Sequence, residues 1–153
     1  MNSLIVQVPL TRYLNEMNRA LNNYFINKKN YGAIFIRLLI GFHLIYGVQD
    51  NVLHWDRMLE FENFLEANRF PLPLTSAIVS VYAQLLCGIL FIAGAFVHVA
   101  AIIMIINFSI AIAMVHMKDP YPQVFPALTM LSGSLFLLFH GAGNLALDRE
   151  RNS

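Results

Sequence analysis

The chain has 153 residues, of which 58% are hydrophobic and 12% are charged, whereas a typical soluble domain is about 45–50% apolar and about 25% charged. This composition is that of a membrane protein. Ten Lys and Arg are offset by nine Asp and Glu and are spread along the chain, which argues against a basic surface for nucleic acid. The single cysteine, Cys87, excludes a disulfide or a multi-cysteine metal site within the chain.

Residues 1–32 contain a segment whose apolar residues recur at steps of three and four, which predicts an amphipathic helix. The apolar positions are Leu10, Tyr13, Leu14, Met17, Leu21, Tyr24 and Phe25. The cationic stretch NKKN at 27–30 and an apolar run follow it. We therefore predict that residues 1–32 form an N-terminal amphipathic helix on the lipid surface, with docking on a partner protein as the alternative. A cleaved signal is not expected, because the N-terminus has no cationic region.

Four apolar runs follow, at about 33–53, 75–96, 99–117 and 127–146. Each is close to the ~20 residues that a helix needs to cross a bilayer. The fold class predicted is therefore all-α, an integral membrane bundle of four transmembrane helices preceded by an amphipathic surface helix. The short connection around His98 predicts a tight hairpin between the second and third spans. The prolines of DPYPQVFP predict a turn before the fourth.

Orientation follows from the Lys and Arg residues that flank the spans, because the cytoplasmic side carries the excess. One side has Arg12, Arg19, Lys28, Lys29, Arg149 and Arg151, and the other has Arg57, Arg69 and Lys118. We expect both termini, including a short tail at 149–153, in the cytoplasm of a bacterial inner membrane. The outer loop at 50–74 then contains a short acidic helix that turns its apolar residues to the lipid interface, namely Trp55, Met58, Leu59, Phe61 and Leu65.

The apolar runs contain polar residues at inner to middle depth, among them Arg37, His43, Gln84, Asn107, His140 and Asn144. Polar groups are costly in lipid and usually face the interior of a bundle. With a rise of about 1.5 Å per residue, His43, Asn107 and Gln84 lie roughly 13–18 Å above the cytoplasmic edge, His140 roughly 9 Å and Arg37 about 5 Å. We therefore predict that they line one interior pocket.

Such a pocket would suit a quinone, which is flat and mostly apolar but carries carbonyl groups that His and Arg can hold. His43 and His140 come from different helices and are also candidates for the axial ligands of a haem iron. The structural alternative is that these histidines form hydrogen bonds between helices, and that Arg37 extends to the lipid headgroups.

A second polar cluster lies at the outer ends of the first and third spans. It contains Gln49, Asp50, His54, Asp56, His116, Lys118 and Asp119. The spacing matches no known metal signature, so we interpret the cluster as a solvated rim and predict no metal site.

The stretch GAGNLALD at 141–148 resembles the closing signature of the DoxX family, which comprises small proteins with four transmembrane helices. The likeness extends to Arg37 with Gly41 and Gly47, FPLP at 70–73, GAF at 94–96 and His116. It spans about 33–148, which we predict to be one four-helix transmembrane DoxX-like domain.

The resemblance implies an association with membrane redox chemistry, including thiosulfate-to-quinone electron transfer and oxidative-stress complexes. The family commonly has an acid at the position of Gln84, an arginine at that of His98 and a basic residue at that of Asn144. These three positions differ here, so roles that need those charges are not carried over.

Three hypotheses follow. The first is an accessory or anchor subunit of a larger, redox-linked membrane complex. Its expected partners are membrane lipids and other subunits of the complex, which it would contact through the N-terminal helix and the outer loop. The second is a quinone-binding oxidoreductase subunit with Arg37, His43 and His140 as its polar handles. The third is a haem carrier. The sequence contains no nucleotide loop, flavin motif or nucleophile–base pair, so we assign no catalytic residue.

Overall fold

The structure, a computed structural model, describes residues 4–26, 29–115, 117, 119–143 and 145–147. These residues form six helices and no strand, which confirms the all-α prediction. In chain order the helices are α1 (Leu4–Ile26), α2 (Lys29–Leu53), α3 (Trp55–Ala67), α4 (Pro73–Ala93), α5 (Val97–Met114) and α6 (Tyr121–His140).

Four of these helices are long and apolar enough to cross a membrane, which confirms the predicted number of spans. The spans are Tyr31–Leu53, Pro73–Ala93, Val97–Met114 and Tyr121–His140. The first three agree with the predicted runs to within three residues at each end. Their length and continuous apolar character were sufficient to locate them, because both follow from the thickness of the bilayer.

The predicted position of the fourth span is wrong, because α6 begins at Tyr121 and ends at His140, about six residues earlier than expected. Pro122 lies in the first turn, where a backbone N–H has no acceptor within the helix, so its absence in proline costs no hydrogen bond. Pro126 is exposed inside the helix and removes only one backbone hydrogen bond. At the other end Gly141 adopts a φ of +77°, which ends the helix.

The tight hairpin between the second and third spans is confirmed. Its turn is Gly94 to Phe96, whereas His98 lies inside α5 rather than in the connection. Gly94 has a φ of +69°, and its N–H donates to Leu90 O at 2.8 Å. This left-handed residue satisfies a carbonyl at the end of α4 and reverses the chain.

The bundle is built from two main helix pairs, in which α2 packs against α4 and α5 packs against α6. Two glycines let the backbones of α2 and α4 approach closely. A Cβ atom added to Gly41 would lie 2.8 Å from Gly88 O, and one added to Gly88 would lie 2.9 Å from Gly41 O. Small residues at such crossings are typical of helix packing in membranes.

The predicted outer helix is confirmed as α3, which packs across one end of the bundle against α2 and α4. We call this the α3 end and the opposite end the Arg37 end. Met58 and Leu65 are buried, at 1% and 4% exposure, beside Val48 and Val81. The prediction that they face the lipid interface is therefore wrong, because they fill the space between α2 and α4; Trp55 is exposed as predicted.

The N-terminal helix α1 is amphipathic, and none of its side chains from Leu10 to Ile26 is buried. Its seven predicted apolar residues lie on one side and are 43–67% exposed. That the lipid surface, or alternatively a partner protein, covers this stripe stays a prediction. Several predicted features lie outside the described residues, namely the first three residues, Lys28, His116, Lys118, Asn144 and the tail at 149–153.

Candidate functional site

The polar residues within the spans do not form the single pocket that the sequence predicted. Arg37 lies at one end of the bundle, whereas Gln84 and Asn107 lie near the middle of α4 and α5. Arg37 contacts the end of α4 and the segment after α6. Gln84 and Asn107 belong to a separate group between α4 and α5 near α3. The histidines of α2 and α6 join neither group. The prediction of a common layer is therefore corrected to two distinct clusters.

Arg37 is 2% exposed, and its guanidinium binds three backbone carbonyls. Its Nε donates to Phe91 O at 2.8 Å, Nη1 to Ala142 O at 2.7 Å and Nη2 to Ile92 O at 3.2 Å. The carbonyls of Phe91 and Ile92 lie at the carboxyl end of α4, where a helix has unpaired acceptors and a partial negative charge. Arg37 therefore joins α2, α4 and the segment after α6, and the alternative in which it extends to the headgroups is wrong.

Gly94 makes room for this guanidinium. A Cβ atom at this position would lie 2.5 Å from Arg37 Nη2 and 2.9 Å from Ala146 Cα. The absence of a side chain at Gly94 thus serves both the left-handed turn and the burial of the arginine.

His43 and His140 are both exposed, so the expectation that they face the bundle interior is wrong. The buried residues beside His43 on α2 are Ile40 and Leu44. His43 is one residue from Leu44, which turns it by about 100° away from the buried face. His140 stacks on Phe136 with ring centroids 5.0 Å apart. Two exposed histidines do not fit the arrangement expected for the axial ligands of a haem inside the bundle.

Gln84 and Asn107 are linked by a serine that the sequence analysis did not single out. Ser80 Oγ donates to Asn107 Oδ1 at 2.9 Å, and Gln84 Nε2 donates to Ser80 Oγ at 3.1 Å. The three residues form a hydrogen-bonded row across α4 and α5, which we call the polar row. A four-residue spacing of polar side chains at Ser76, Ser80 and Gln84 was the available signal, because such residues share one helix face.

The polar row lies on the wall of a cavity of about 310 Å³ between α3, α4 and α5. We call this cavity the chamber. Apart from the polar row and Ser76, its lining is apolar and rich in phenylalanine: Phe61, Phe64, Leu65, Phe70, Val79, Phe108, Ile110, Ala111 and Val115. This volume is at the lower end of the range for small-molecule sites, which combine apolar walls with a few polar groups.

Two polar atoms of the row remain available on the chamber wall. Within the described residues, Asn107 Nδ2 and Gln84 Oε1 make no hydrogen bond, and neither atom is completely buried. The chamber thus offers one donor and one acceptor in apolar surroundings.

One side of the chamber faces outward between α4 and α5. Val79, Ile110 and Phe64 line it and are 63%, 42% and 46% exposed. Because Val79 and Ile110 belong to helices that are long and apolar enough to span a membrane, this side lies on the apolar outer surface of the bundle.

A second, more polar cavity of about 550 Å³ lies between α2, α3 and α4. We call it the vestibule. Its lining includes Asp50, Asn51, Arg57, Glu60 and Gln84. Arg57 Nη1 donates to Glu60 Oε2 at 2.7 Å, and this bond and charge raise the pKa of Arg57.

The outer polar cluster predicted from the sequence is only partly described, since His116 and Lys118 fall outside the described residues. Within the part that is described, no group of three or more His, Cys, Asp or Glu side chains is arranged to hold a metal ion. Asp50 instead lines the vestibule.

Comparison with known proteins identifies one family. The family model described as DoxX matches residues 32–117, more than half of the chain and all of α3, α4 and α5. The motif GAGNLALD lies beyond the matched residues, so the match does not extend to the end of the resemblance predicted from the sequence. No curated protein and no solved structure matches the chain.

Proposed function

Because the chain belongs to the DoxX family and has four membrane-spanning helices, we propose that it is a membrane protein whose chamber binds a quinone. The observation that supports this proposal is Asn107 Nδ2, which makes no hydrogen bond within the described residues and lies on the wall of an apolar, phenylalanine-lined cavity. A donor in largely apolar surroundings gains from a hydrogen bond, and a carbonyl-bearing ligand supplies the acceptor.

The chemistry of the chamber fits a quinone in three respects. Asn107 Nδ2 can donate to a quinone carbonyl, and Gln84 Oε1 can accept from the hydroxyl of the reduced form. The phenylalanine rings offer flat apolar contacts to the ring. The lipid side at Val79 leaves space for an apolar tail. The quinone would supply electron-transfer chemistry, and the chain would bind and orient it.

Among the residues predicted to hold the ligand, this proposal keeps Gln84 and Asn107. Arg37 has its guanidinium engaged with backbone carbonyls at the other end of the bundle. His43 and His140 line neither the chamber nor the vestibule. These three residues are not needed for the binding that we propose.

The test is the affinity of the purified protein for a fully substituted benzoquinone, measured by quenching of the fluorescence of Trp55. Asn107→Leu removes the free donor but keeps a side chain of similar size. We expect its Kd to rise about tenfold, because loss of one hydrogen bond in apolar surroundings is worth about 1.4 kcal/mol.

Ser109→Ala is the matched control, because Ser109 lies on the same helix, is exposed and is not part of the chamber. It should bind like the unaltered protein. Equal affinity of Asn107→Leu and the unaltered protein would contradict the proposal, as would the same loss in both variants.

The second candidate function is that of an accessory subunit in a larger, redox-linked membrane complex. It is favoured by the apolar stripe of α1, which nothing in the described chain buries. An exposed stripe of this kind indicates a surface that is covered in the native setting. We propose that another subunit of the complex covers it.

The test is co-purification from native membranes in mild detergent. Leu14→Asp places a charge in the stripe, whereas Asn15→Asp places the same charge on the polar side of the helix. Loss of larger subunits in the first variant only would support docking through α1. If neither variant loses subunits, and brominated lipid quenches a fluorophore at position 14, the stripe lies on the bilayer and the accessory proposal fails.

We also propose that the Arg37 end and both termini face the cytoplasm of a bacterial inner membrane. The excess of Lys and Arg in the N-terminal segment and the C-terminal tail supports this orientation. Labelling of a cysteine placed at Glu60 from outside intact cells would support it, and labelling only after lysis would contradict it.

A further inference from the structure

The chamber and the vestibule share two wall residues, Gln84 and Phe61. Gln84 is the twelfth of the 21 residues of α4, so the shared wall reaches close to the middle of a membrane-spanning helix. Among the described residues, only these two line both cavities. The two cavities are therefore neighbours, separated by a polar carboxamide and an aromatic ring.

The two cavities open to different surroundings. The chamber has its exposed lining at Val79 and Ile110, which are apolar and lie within the spans. The vestibule has the charged side chains Asp50, Arg57 and Glu60, all exposed, at the α3 end. A cavity lined by charged groups holds water, whereas one lined by apolar groups stays dry.

We propose that the vestibule brings water from outside the bilayer to Gln84, and that the ligand of the chamber is an amphiphile whose polar end meets this water. The apolar part of the ligand lies in the chamber and enters from the lipid side. This inference rests on the proposed function for the identity of the site, and it adds the class of ligand and the route by which its polar end is solvated.

The bonding of Gln84 supports this arrangement. Its Nε2 donates to Ser80, which belongs to the chamber, while its Oε1 has no partner among the described residues. An amide oxygen is costly to leave unpaired in apolar surroundings, and water in the vestibule removes that cost. The same carboxamide can thus contact a ligand on one side and water on the other.

The experiment measures access of water to a position in the middle of the span. Gln84→Cys and Leu86→Cys are made separately in a Cys87→Ala background and reconstituted in nanodiscs. Leu86 lies two residues further along the same helix, is 57% exposed and lines neither cavity, so it reports on the lipid-facing side. Both variants are treated with a charged, membrane-impermeant methanethiosulfonate, and the rate of labelling is measured.

We expect the cysteine at position 84 to react at least tenfold faster than the cysteine at position 86. A saturating concentration of tetramethylbenzoquinone, which has no free ring position and no leaving group for a thiol to displace, should slow the reaction at position 84 at least threefold. Asn107 remains in this variant to hold the ligand.

The outcomes separate this inference from the proposed function. Equal, slow labelling at both positions would overturn the water route, even if Asn107→Leu weakens quinone binding. Fast labelling that the benzoquinone does not slow would overturn the link between the cavities. If Asn107→Leu leaves binding unchanged, the proposed function fails, while a tenfold contrast in labelling still supports water at Gln84.

Discussion

Replacement of Arg37 by methionine tests the account of the Arg37 end most directly. The substitution keeps a long, unbranched side chain and removes all donors. Phe91 O keeps a bond from the Gly94 N–H at 3.2 Å, but the carbonyls of Ile92 and Ala142 lose the partner that the structure gives them. Each buried acceptor left unpaired costs about 1–3 kcal/mol, so the free energy of unfolding should fall by about 2–6 kcal/mol.

Thermal unfolding of the purified protein in detergent measures this loss. For a chain of this size, 1 kcal/mol corresponds to about 2–4 °C in Tm, so Arg37→Met should lower Tm by about 5–20 °C. Arg12→Met is the matched control, because Arg12 is 83% exposed and, within the part of the chain that the structure describes, pairs only with Glu16 at 3.5 Å. An exposed pair of this kind contributes at most about 1 kcal/mol.

Arg37→Lys gives a further check on the reasoning. Lysine keeps the charge but not the planar group that reaches three carbonyls in different directions, so its Tm should fall between those of the unaltered protein and Arg37→Met. A Tm for Arg37→Met within 2 °C of that of Arg12→Met would refute the role assigned to the three bonds. Full recovery in Arg37→Lys would show that charge alone is sufficient.

Two further predictions concern packing. Gly88→Ala should destabilise the protein by about 1–3 kcal/mol, because the new Cβ would meet Gly41 O at 2.9 Å; Gly47→Ala, with no atom within 4 Å of the new Cβ, should leave Tm unchanged or raise it slightly. Met58→Ala should cost about 2–5 kcal/mol because Met58 is 1% exposed, whereas Leu59→Ala, at 36% exposure, should cost less than half as much. Unfolding curves of each pair check both, and equal shifts within a pair would contradict the packing described.

The sequence was sufficient to predict that there are four spans, the positions of three of them, and the two additional helices. These features depend on the length of apolar runs and on local periodicity. Both can be counted along the sequence, as around Leu14 or Met58. The fourth span was misplaced because two prolines were interpreted as excluding a helix, although Pro122 stands in its first turn and Pro126 costs only one hydrogen bond. The side of α3 that is buried could not be predicted from its own sequence, because it depends on how α3 packs against α2 and α4.

The candidate site was harder to predict because depth and direction are independent on a helix. Counting residues at about 1.5 Å each assigned His43 and Asn107 to similar depths, but each residue also turns the side chain by about 100°. His43 is therefore exposed while its neighbour Leu44 is buried, and Asn107 faces Ser80. A polar residue inside a span belongs to a common interior only when it shares the buried face of its helix. Arg37 meets that condition at one end of the bundle, whereas the half-buried polar row lies near the middle of α4 and α5.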